Sequence, residues 1–469
     1  MALTNISPVL PSGFRDYLPA EAIARGRMIA TIRTVFERYG FDPLETPAVE
    51  RTDVLTGNDP RFRMIIYEAQ TTAQRRAAEP IDTALRYDLT VPLARVVAAN
   101  RSLPLPFKRY QTGNVWRGER PQAGRFREFL QCDADIVGTA SPLADAEAIA
   151  CIADAMRALG ITQFAIRINN RKILNGLAEA VGFDIAQAAD VLRVIDKLPK
   201  VGREAVLREL GKPKRGANVA EGDDASESDS GCGLSASAVE RIGVFLALAG
   251  TTDTLLDQMA AFFSESVVAT EGVAELRSVI AALRAMEVPE EVVVLDPSIA
   301  RGLSYYTGTV FETFLGELPS MGSVCSGGRY DDLVARFSDV SVPAVGFSFG
   351  VDRLFAALTT LNYIAGVATT AEVLVTIMDP EALPEYLAMT AALRRADIRT
   401  VLWLGTRMGF KEQLAYASDR GIPIAVIAGS DERAAGTVTI RDLRTRQQEV
   451  VARDALIASV RRMLVGRNA

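Results

Sequence analysis

The densest group of residues that could do chemistry lies in residues 107–138, FKRYQTGNVWRGERPQAGRFREFLQCDADIVG. Two stretches in which apolar and polar residues alternate flank a loop rich in Arg, Gly and Pro. This pattern predicts two antiparallel strands joined by a basic loop. Such a hairpin would aim Arg117 and Glu119 at one site, and Gln131 and Asp135 would reach it from the second strand. Because arginine suits bidentate recognition of phosphate, the pattern favours a phosphorylated ligand. The alternative is a surface hairpin whose arginines are solvated.

Two adjacent tyrosines mark a second polar segment, ARGLSYYTGTVFET, at residues 300–313. Arg301 stands just before them, and a strand-like stretch follows. In an extended chain Tyr305 and Tyr306 would point to opposite sides, so that one packs while the other presents its hydroxyl.

Glycines mark two more segments. SVCSGGRYDDL, residues 323–333, has the Gly pair needed where backbone turns sharply or comes close to a ligand. VPAVGFSFGVDRL, residues 342–354, predicts a strand that leads through Gly350 into a helix with Arg353 in its first turn. That arginine could face a phosphate, although an isolated spacing of this kind more often marks only a helix start.

The chain has 469 residues and no histidine, whereas ordinary usage would supply about ten. Without an imidazole there is no Ser/His/Asp triad, Cys/His dyad, histidine-ligated metal or phosphohistidine relay. Acid–base chemistry must therefore fall to carboxylates, Lys, Tyr, water or the substrate.

Composition and charge set wider bounds. The length suggests two to four domains, and 49% hydrophobic residues can fill their cores. Four scattered cysteines form no CxxC pair, which predicts a reducing compartment, and no leader or uncharged apolar run of 18 residues is found, so we expect a cytoplasmic protein. The net charge is -6, although residues 371–469 hold 14 Lys and Arg against 12 Asp and Glu. A polyanion would therefore have to meet local basic patches.

The apolar pattern predicts the elements that position these residues. Helices are expected at 20–39, ended by Gly40, and at 144–159, and the prolines of 41–50 fit an edge strand or an interface. Strands alternate with helices over 371–469, which predicts an α/β unit with a parallel-rich sheet.

Residues 167–288 read as helical segments. They are interrupted by EGDDASESDSGCG at 221–233, an acidic run that indicates a solvated loop rather than a metal site.

Taken in order, these segments resemble the histidyl-tRNA synthetases, a family of class II aminoacyl-tRNA synthetases. The resemblance is carried by PSGFRDYLP, LRYDLT, the 107–138 hairpin, RGLSYYTGTVFE, SGGRYDDL and VGFSFGVDRL, and LGTRMGFKEQLAYASDRGIPIAVIAGSDE resembles the family's anticodon-binding domain. It implies an α+β catalytic domain, an antiparallel sheet with helices, a helical insertion and a C-terminal α/β anticodon-binding domain. The implied boundaries are 1–166 and 289–368 for the two parts of the catalytic domain, 167–288 for the insertion and 371–469 for the anticodon-binding domain.

The resemblance implies a reaction of ATP, accompanied by Mg²⁺, with L-histidine. Histidyl-adenylate and pyrophosphate form, and the histidyl group then moves to histidine tRNA. Arg117 matches the arginine at the α-phosphate, Arg353 the one at the distal phosphates, and Glu119 and Arg125 match further ATP-binding positions. Arg301 matches an arginine that approaches the α-phosphate and the substrate carboxylate as charge develops, so Arg117 and Arg301 are the expected catalytic residues.

The same resemblance implies a histidine site. Asp88 and Thr90 match residues at the α-ammonium, and Gln131 matches one at the α-carboxylate. Asp135 and Tyr306 match the pair that reads the two ring nitrogens, since a carboxylate accepts from one N–H and a phenol can donate to or accept from the other nitrogen. The alternative is a structural Asp/Tyr pair. The implied histidine-binding positions are Asp88, Thr90, Gln131, Asp135, Arg301, Tyr305 and Tyr306.

Some positions depart from the family pattern or concern tRNA. Ser304 stands where the family commonly has Asp. Arg120 and Gln122, in a loop that normally faces the acceptor end, are the candidates for reading the tRNA, and the need for an extra 5′ guanylate is left open. Cys325 is interpreted as a small packing residue. No cage of metal ligands is expected from the protein.

Two further expectations follow from the resemblance. The chain should form a homodimer in which residues 20–50, including Pro47, supply a helix and a strand of the interface. The alternative function is the synthetase-like, histidine-sensing regulatory subunit of ATP phosphoribosyltransferase, which typically lacks the anticodon domain and parts of the ATP site. Arg117, Arg353 and residues 371–469 are all present, which favours the ligase.

The missing histidines then suggest a hypothesis about synthesis of the chain. A synthetase without histidine could still be translated during histidine starvation, and chance or codon bias is the alternative. Insertion of several surface histidines would test this, because unchanged recovery of the enzyme after starvation would contradict the hypothesis.

Overall fold

The structure is a computed structural model that describes residues 6–57, 60–121, 124–213, 231–299, 305–364, 366, 368–406 and 409–465. The backbone divides into two compact units, a larger one that contains Met28–Tyr363 and a smaller one that contains Asp16–Arg27 and Ile364–Ala469. Within the described ranges, no helix is both long enough and apolar enough to cross a membrane.

The larger unit contains two sheets. Its strands are β1 (Asp42–Pro43), β2 (Val49–Arg51), β3 (Tyr67–Ala69), β4 (Thr83–Leu85), β5 (Phe107–Trp116), β6 (Glu128–Val137), β7 (Phe164–Asn170), β8 (Val293–Leu295), β9 (Thr309–Leu315), β10 (Cys325–Arg329) and β11 (Ala344–Gly350). Among the described strands the main sheet has the order β1-β5-β6-β11-β10-β9-β7-β8, and β2-β4-β3 form the small one. All pairs are antiparallel except those of β1 with β5 and β7 with β8.

Helices pack around these sheets. Those before residue 364 are α1 (Pro19–Arg38), α2 (Thr52–Thr56), α3 (Pro60–Arg63), α4 (Thr72–Arg76), α5 (Thr90–Ala99), α6 (Pro142–Ala158), α7 (Arg171–Val181), α8 (Ala188–Ile195), α9 (Leu198–Val201), α10 (Arg203–Gly211), α11 (Ala236–Phe245), α12 (Thr252–Phe262), α13 (Val267–Ala285) and α14 (Val351–Thr360). The predicted helices at 20–39 and 144–159 are confirmed as α1 and α6. Helices α7 to α13 lie between β7 and β8, so residues 167–170, expected to be helical, belong instead to a strand of the main sheet.

The predicted hairpin is confirmed, and its alternation separates two faces of the main sheet. Cys132, Ala134 and Ile136 of β6 share one face with apolar residues of β11, and there Phe347 and Phe349 pack on Phe36 of α1 with ring centroids 5.6 and 6.3 Å apart. The other face carries the polar residues of the hairpin. Burial of the aromatic face therefore fixes which side chains of β6 face the site.

The smaller unit contains strands β12 (Val373–Val375), β13 (Thr400–Leu402), β14 (Ile424–Ile427), β15 (Thr437–Asp442) and β16 (Gln448–Ala452), with helices α15 (Leu383–Arg395), α16 (Phe410–Asp419), α17 (Ser430–Ala435) and α18 (Leu456–Val465). The sheet order is β13-β12-β14-β15-β16. The first three strands are parallel, as expected, but β15 and β16 add antiparallel pairs, because they form a hairpin whose second strand the pattern did not predict.

The two tryptophans of the chain are divided between the units. Trp116 ends β5 in the larger unit, and Trp403 packs against Tyr416 in the smaller unit with ring centroids 5.4 Å apart.

Candidate active site

The polar face of the main sheet is arranged in rows across neighbouring strands. Arg109 of β5 lies opposite Asp135 of β6, which lies opposite Gly346 of β11, and Gly328 of β10 continues the row. In the adjacent row, Gln111, Asp133, Ser348 and Ser326 occupy the same four strands. Because side chains two residues apart share a face, these rows form one continuous polar surface.

The turn before α5 covers part of this surface. Asp88 is 2% exposed, and its Oδ1 accepts from the Val91 backbone N–H at 3.1 Å, which fixes the carboxyl at the start of the helix. The carbonyl of Leu89 accepts from Arg109 Nη2 at 3.0 Å. The carbonyl of Tyr87 accepts from Arg117 Nε at 3.1 Å. Two arginines of the hairpin therefore hold the turn against β5.

Asp135 lies in the centre of the surface and is 2% exposed. Its Oδ2 is 2.7 Å from Arg109 Nη2, and its Oδ1 accepts from the Tyr330 hydroxyl at 2.5 Å. Burial raises the pKa of Asp135, while the Arg109 charge and the Tyr330 hydrogen bond lower it.

Tyr305 and Tyr306 lie beside the same carboxyls. Their rings are in edge contact with centroids 5.1 Å apart, and the Tyr305 hydroxyl is 3.5 Å from Asp88 Oδ2. Burial raises the pKa of Tyr306, and the neighbouring Asp135 raises it further, so the phenol stays protonated. The expectation that the two side chains point to opposite sides applies to an extended chain, and the chain is not a strand here, because Tyr305 lies in a turn and β9 begins only at Thr309.

Several buried polar atoms on this face have no hydrogen-bond partner among the described residues. They include Gln131 Oε1 and Asp133 Oδ1. Gln131 Nε2 donates to Ser348 Oγ at 2.7 Å, so the orphan oxygen suits an ammonium, whereas contact with a carboxylate would use the second N–H of Nε2. Burial raises the pKa of Asp133 to about 7 and that of Asp88 to about 6. Orphan acceptors and poorly solvated carboxyls are suited to a cationic or N–H-bearing ligand.

The two predicted phosphate arginines lie on different elements. Arg117 follows β5, and its guanidinium lies over the Phe129 ring at 5.1 Å from the centroid. Its contact with the carbonyl of Tyr87 holds it next to Asp88, and its charge lowers the pKa of that carboxyl. Arg353 lies in the first turn of α14, as predicted, and its Nη1 donates to the Ser323 carbonyl at 2.8 Å. Asp352 Oδ2 accepts from the Leu130 N–H at 2.7 Å, which ties this helix start to β6.

The hairpin loop is placed differently from the sheet residues. Glu119, Arg120 and Arg125 are exposed, and the structure brings none of their side chains into a described contact with the carboxyl cluster. If these three residues bind ATP or tRNA, they would do so at the solvent-exposed edge of the site. Arg301, Ser304 and Gln122 lie outside the described residues, as does the acidic run up to residue 230.

Thr90 and Cys325 complete the predicted set. Thr90 begins α5, and its side chain lowers the pKa of the nearby Tyr305, which burial raises. Cys325 is buried, and burial raises its pKa well above the ordinary value, which makes its thiol a poor nucleophile. Over the described part of the chain, no group of three or more His, Cys, Asp or Glu side chains is placed to hold a metal ion.

Sequence reasoning missed three residues of the site. Asp133 alternates with apolar residues along β6 and lies on the same face as Gln131 and Asp135, so the sequence pattern could have indicated it. Arg109 would have required the pairing register of β5 and β6, and Tyr330 follows the glycine pair with no pattern to distinguish it. All three are buried, and the Arg109 charge lowers the pKa of Asp133 and of Asp135, while the Tyr330 hydrogen bond lowers that of Asp135.

Comparisons with known proteins show what the chain is similar to along most of its length. The family model for histidyl-tRNA synthetase matches residues 13–354, and the model for the anticodon-binding domain matches residues 372–463. A histidine–tRNA ligase of Paracoccus denitrificans is 42% identical, over 97% of each chain. The crystal structure of histidyl-tRNA synthetase from Nostoc sp. PCC 7120 is 36% identical, with a TM-score of 0.83 over 98% of this chain and 100% of that one.

One further solved structure shares the fold at lower sequence identity. A Bacillus halodurans structure described as an ATP phosphoribosyltransferase regulatory subunit/histidyl-tRNA synthetase has a TM-score of 0.70 at 23% identity, over 89% of this chain and 97% of that one. That likeness concerns the fold alone.

With family models along most of its length and a relative 42% identical end to end, the chain belongs to the histidyl-tRNA synthetase family.

Proposed function

We propose that this chain ligates L-histidine to histidine tRNA in two steps. A carboxylate oxygen of histidine attacks the α-phosphorus of ATP, the bond to the β-phosphate oxygen breaks, and pyrophosphate leaves. A ribose hydroxyl of the terminal tRNA adenosine then attacks the acyl carbon, and AMP leaves. No protein imidazole is needed in either step, which agrees with a chain that has none.

The observation that carries the proposal is the enclosed polar cluster on the main sheet. Asp88 and Thr90 offer acceptors for the α-ammonium, and Asp135 with Tyr306 offers an acceptor and a donor for the two ring nitrogens. Gln131 adds a buried amide on the same face of the sheet. A wrong amino acid would leave these buried groups unpaired, which is a strong basis for rejection.

The ATP side uses permanently charged side chains. Arg117 and Arg301 would stabilise charge at the α-phosphate, and Arg353 would hold the distal phosphates. Arg125 would line the nucleotide, and Glu119 would lie near the adenine and Mg²⁺. The exposed Glu119 carboxylate fits a metal that is held mainly by phosphate oxygens and water. Bound there, Mg²⁺ would neutralise phosphate charge.

Binding of tRNA is assigned to residues 371–469 and to the hairpin loop, where Arg120 and Gln122 would meet the acceptor end. We assign the catalytic domain to residues 1–166 and 289–368 and the helical insertion to 167–288. A cytoplasmic homodimer with residues 20–50 at its interface completes the proposal. Analytical ultracentrifugation would test the dimer, since a monomer at micromolar concentration contradicts it.

Pyrophosphate exchange tests the proposed function directly. We expect the purified chain to exchange labelled pyrophosphate into ATP only when L-histidine is added, and then to charge histidine tRNA. Charging of tRNA with and without an extra 5′ guanylate would define the acceptor requirement. No exchange, together with stimulation of an ATP phosphoribosyltransferase, would reverse the assignment in favour of a regulatory subunit.

A variant of Arg301 tests the catalytic assignment. Arg301→Ala should lower the rate of adenylate formation far more than the affinity for histidine, because its charge is aimed at the transition state. Equal losses in both quantities would contradict that role.

A further inference from the structure

Arg109 is a buried cation that the sequence motifs leave without a role. Its side chain is 0% exposed, and it lies directly across the β5–β6 pair from Asp135. Its Nε and Nη1 are buried and find no hydrogen-bond partner among the described residues. A guanidinium kept only for stability would be expected to satisfy its donors, and apolar replacements of buried ion pairs are often as stable. The incomplete pairing therefore points to a use in the site.

The surroundings of Arg109 fix the direction of the Asp135 carboxylate. Tyr330 donates to Oδ1, whereas Arg109 Nη2 lies 2.7 Å from Oδ2 as an ion pair that is not aligned for a hydrogen bond. A Cβ at Gly346 would lie 1.8 Å from Oδ1, which shows that the carboxylate occupies the space above this glycine. A Cβ at Gly328 would lie 3.0 Å from the Tyr306 ring. The two glycines thus let Asp135 and Tyr306 lie side by side over the sheet.

Arg109 also reaches the other half of the proposed histidine site. Its Nη2 donates to the carbonyl of Leu89, which lies between Asp88 and Thr90 in the chain. One guanidinium therefore connects the carboxylate that would read the ring with the turn that would bind the ammonium. Burial raises the pKa of Asp88, Asp133 and Asp135, and the nearby Arg109 charge lowers all three.

We propose that Arg109 is a positioning residue that sets selectivity for an imidazole N–H. It holds Asp135 as a carboxylate aimed at the substrate ring and fixes its distance from the 88–90 turn. This role rests on the proposed function, since it names the residue that tunes the same histidine site. The site would recognise a ring N–H that donates to the Asp135 carboxylate. It would reject a ring whose nitrogen at this position carries a methyl group, because that nitrogen has no N–H to donate.

Steady-state pyrophosphate exchange with Arg109→Met and Arg109→Lys tests this role. Loss of the charge leaves Asp135 buried without its cation, so Arg109→Met should raise the KM for histidine about 30-fold or more. The KM for ATP should change less than about threefold, because no phosphate contact is altered. Arg109→Lys keeps the charge and should recover most of the loss. An unchanged KM for histidine in Arg109→Met overturns the proposal.

Selectivity provides a second readout. We expect the wild type to reject at least one of the two ring-methylated histidines, and Arg109→Met should narrow the ratio of kcat/KM between histidine and that analogue. A ratio that is the same in both proteins overturns a role in specificity.

The pH dependence of the KM for histidine distinguishes a specific effect of Arg109 on the Asp135 carboxylate from a general loosening of the structure. The charged and titratable groups that face Asp135 come from several elements. Arg109 lies on β5, Asp133 lies on the same strand as Asp135, and Tyr330 follows β10. Asp88 lies in the turn before α5, and Tyr306 lies before β9. Without the Arg109 charge the pKa of the Asp135 carboxyl would rise further, which favours its protonated form, and the carboxyl would regain its charge as the pH rises. The ratio of histidine KM values, variant over wild type, should therefore fall between pH 6.5 and pH 8.5. The ratio cancels titration of histidine itself, and a flat ratio contradicts the mechanism.

The absence of histidine from the chain allows a direct spectroscopic test. Ring nitrogens of bound ¹⁵N-labelled L-histidine can be observed with no imidazole from the protein. In the wild type we expect one N–H and one lone-pair nitrogen with well-separated shifts, and in Arg109→Met we expect these shifts to converge. Unchanged shifts would overturn the proposal.

Control variants separate local from general effects. Arg95→Met breaks the pair of Arg95 with Glu50, 2.6 Å apart, and should lower the melting temperature without changing the KM for histidine. Equal rises in that KM for Arg95→Met and Arg109→Met would indicate general loosening and overturn the role. If Arg109→Met does not fold, Tyr330→Phe removes the other donor to Asp135, and a histidine KM unchanged there counts against the proposal. Absence of histidine-dependent exchange in the wild type would instead reject the proposed function itself.

Discussion

Three buried carboxyls, Asp88, Asp133 and Asp135, lie close to one another on the polar face of the main sheet. Arg109 supplies a buried positive charge among them, and the partly exposed Arg117 adds a second positive charge near Asp88. Because burial raises the pKa of all three carboxyls, the site without substrate holds negative charge at a cost in stability. A substrate that brings an ammonium and a ring N–H would offset this cost on binding.

Asp133 gives the clearest prediction of pH dependence. Its pKa is raised to about 7 in the folded chain, whereas an unfolded Asp ionises near pH 3.9. The folded state therefore loses stability as the pH rises from about 4 to about 7, because the unfolded chain ionises first. Asp133→Asn removes this loss. The free energy of unfolding of the variant, relative to that of the wild type, should therefore rise by about 2 kcal/mol between pH 5 and pH 8.

Thermal and urea unfolding at both pH values would measure this difference between variant and wild type. Asp257→Asn, at a carboxylate that is 71% exposed, is a suitable control and should show little such rise. A difference for Asp133→Asn that is equal at pH 5 and pH 8 would contradict the expectation.

Tyr306→Phe tests the reading of the ring. The phenol is protonated at neutral pH and should donate to, or accept from, a ring nitrogen, so its loss should raise the KM for histidine about 10- to 100-fold with little change for ATP. Tyr363→Phe is a matched control, since its hydroxyl donates to Glu317 at 2.7 Å on the surface. A KM for histidine that is the same in Tyr306→Phe and wild type would assign Tyr306 to packing.

At the level of strands, the pairing of β6 with β11 makes Gly346 a requirement of the site. The Cβ of Gly346→Ala would meet Asp135 Oδ1 at 1.8 Å, so the carboxylate must move. We expect a drop of about 100-fold or more in kcat/KM for histidine, because displacement of a positioned group by about 1 Å costs this much. Pyrophosphate exchange measures the drop.

Gly26→Ala in α1 provides the control, since a Cβ there meets no described atom within 4 Å. That variant should keep its activity and gain slightly in stability. Wild-type kinetics in Gly346→Ala would mean that the sheet at β11 can shift to make room.

Local patterns predicted the elements well where one face is apolar and the other is not. The alternation of β6 gave the hairpin, and the helical spacing of apolar residues gave α1 and α6 close to their observed bounds. The resemblance then named Asp88, Asp135 and Tyr306, which the fold brings together. Pattern and motif succeed here because both depend on residues near each other in sequence.

Long-range pairing could not be obtained in the same way. The contact of Asp135 with Tyr330 joins residues 195 positions apart, and it depends on the order of strands in the sheet. The arrangement of Tyr305 and Tyr306 depends on where β9 begins, which an alternating stretch does not define to one residue. Strand β16 has a polar, exposed side and so gave no apolar signal.

For the whole molecule, a net charge of -6 opposes approach of a polyanion. Binding of tRNA must then depend on local groups of Lys and Arg, whose attraction is screened by salt. We expect the KM for tRNA in the charging reaction to rise at least about tenfold between 50 and 200 mM salt. The KM for histidine in pyrophosphate exchange should change little, because its contacts are buried. A KM for tRNA that does not depend on salt would contradict electrostatic binding.

The placement of one tryptophan in each unit makes the chain its own pair of fluorescent reporters. With Trp403→Phe, the remaining emission would come from Trp116 at the end of the hairpin strand and would respond to ligands of the larger unit. With Trp116→Phe, it would come from Trp403 beside Tyr416 and would respond to events in the smaller unit. Amino-acid binding and anticodon binding could then be followed separately in the full chain, without an attached dye.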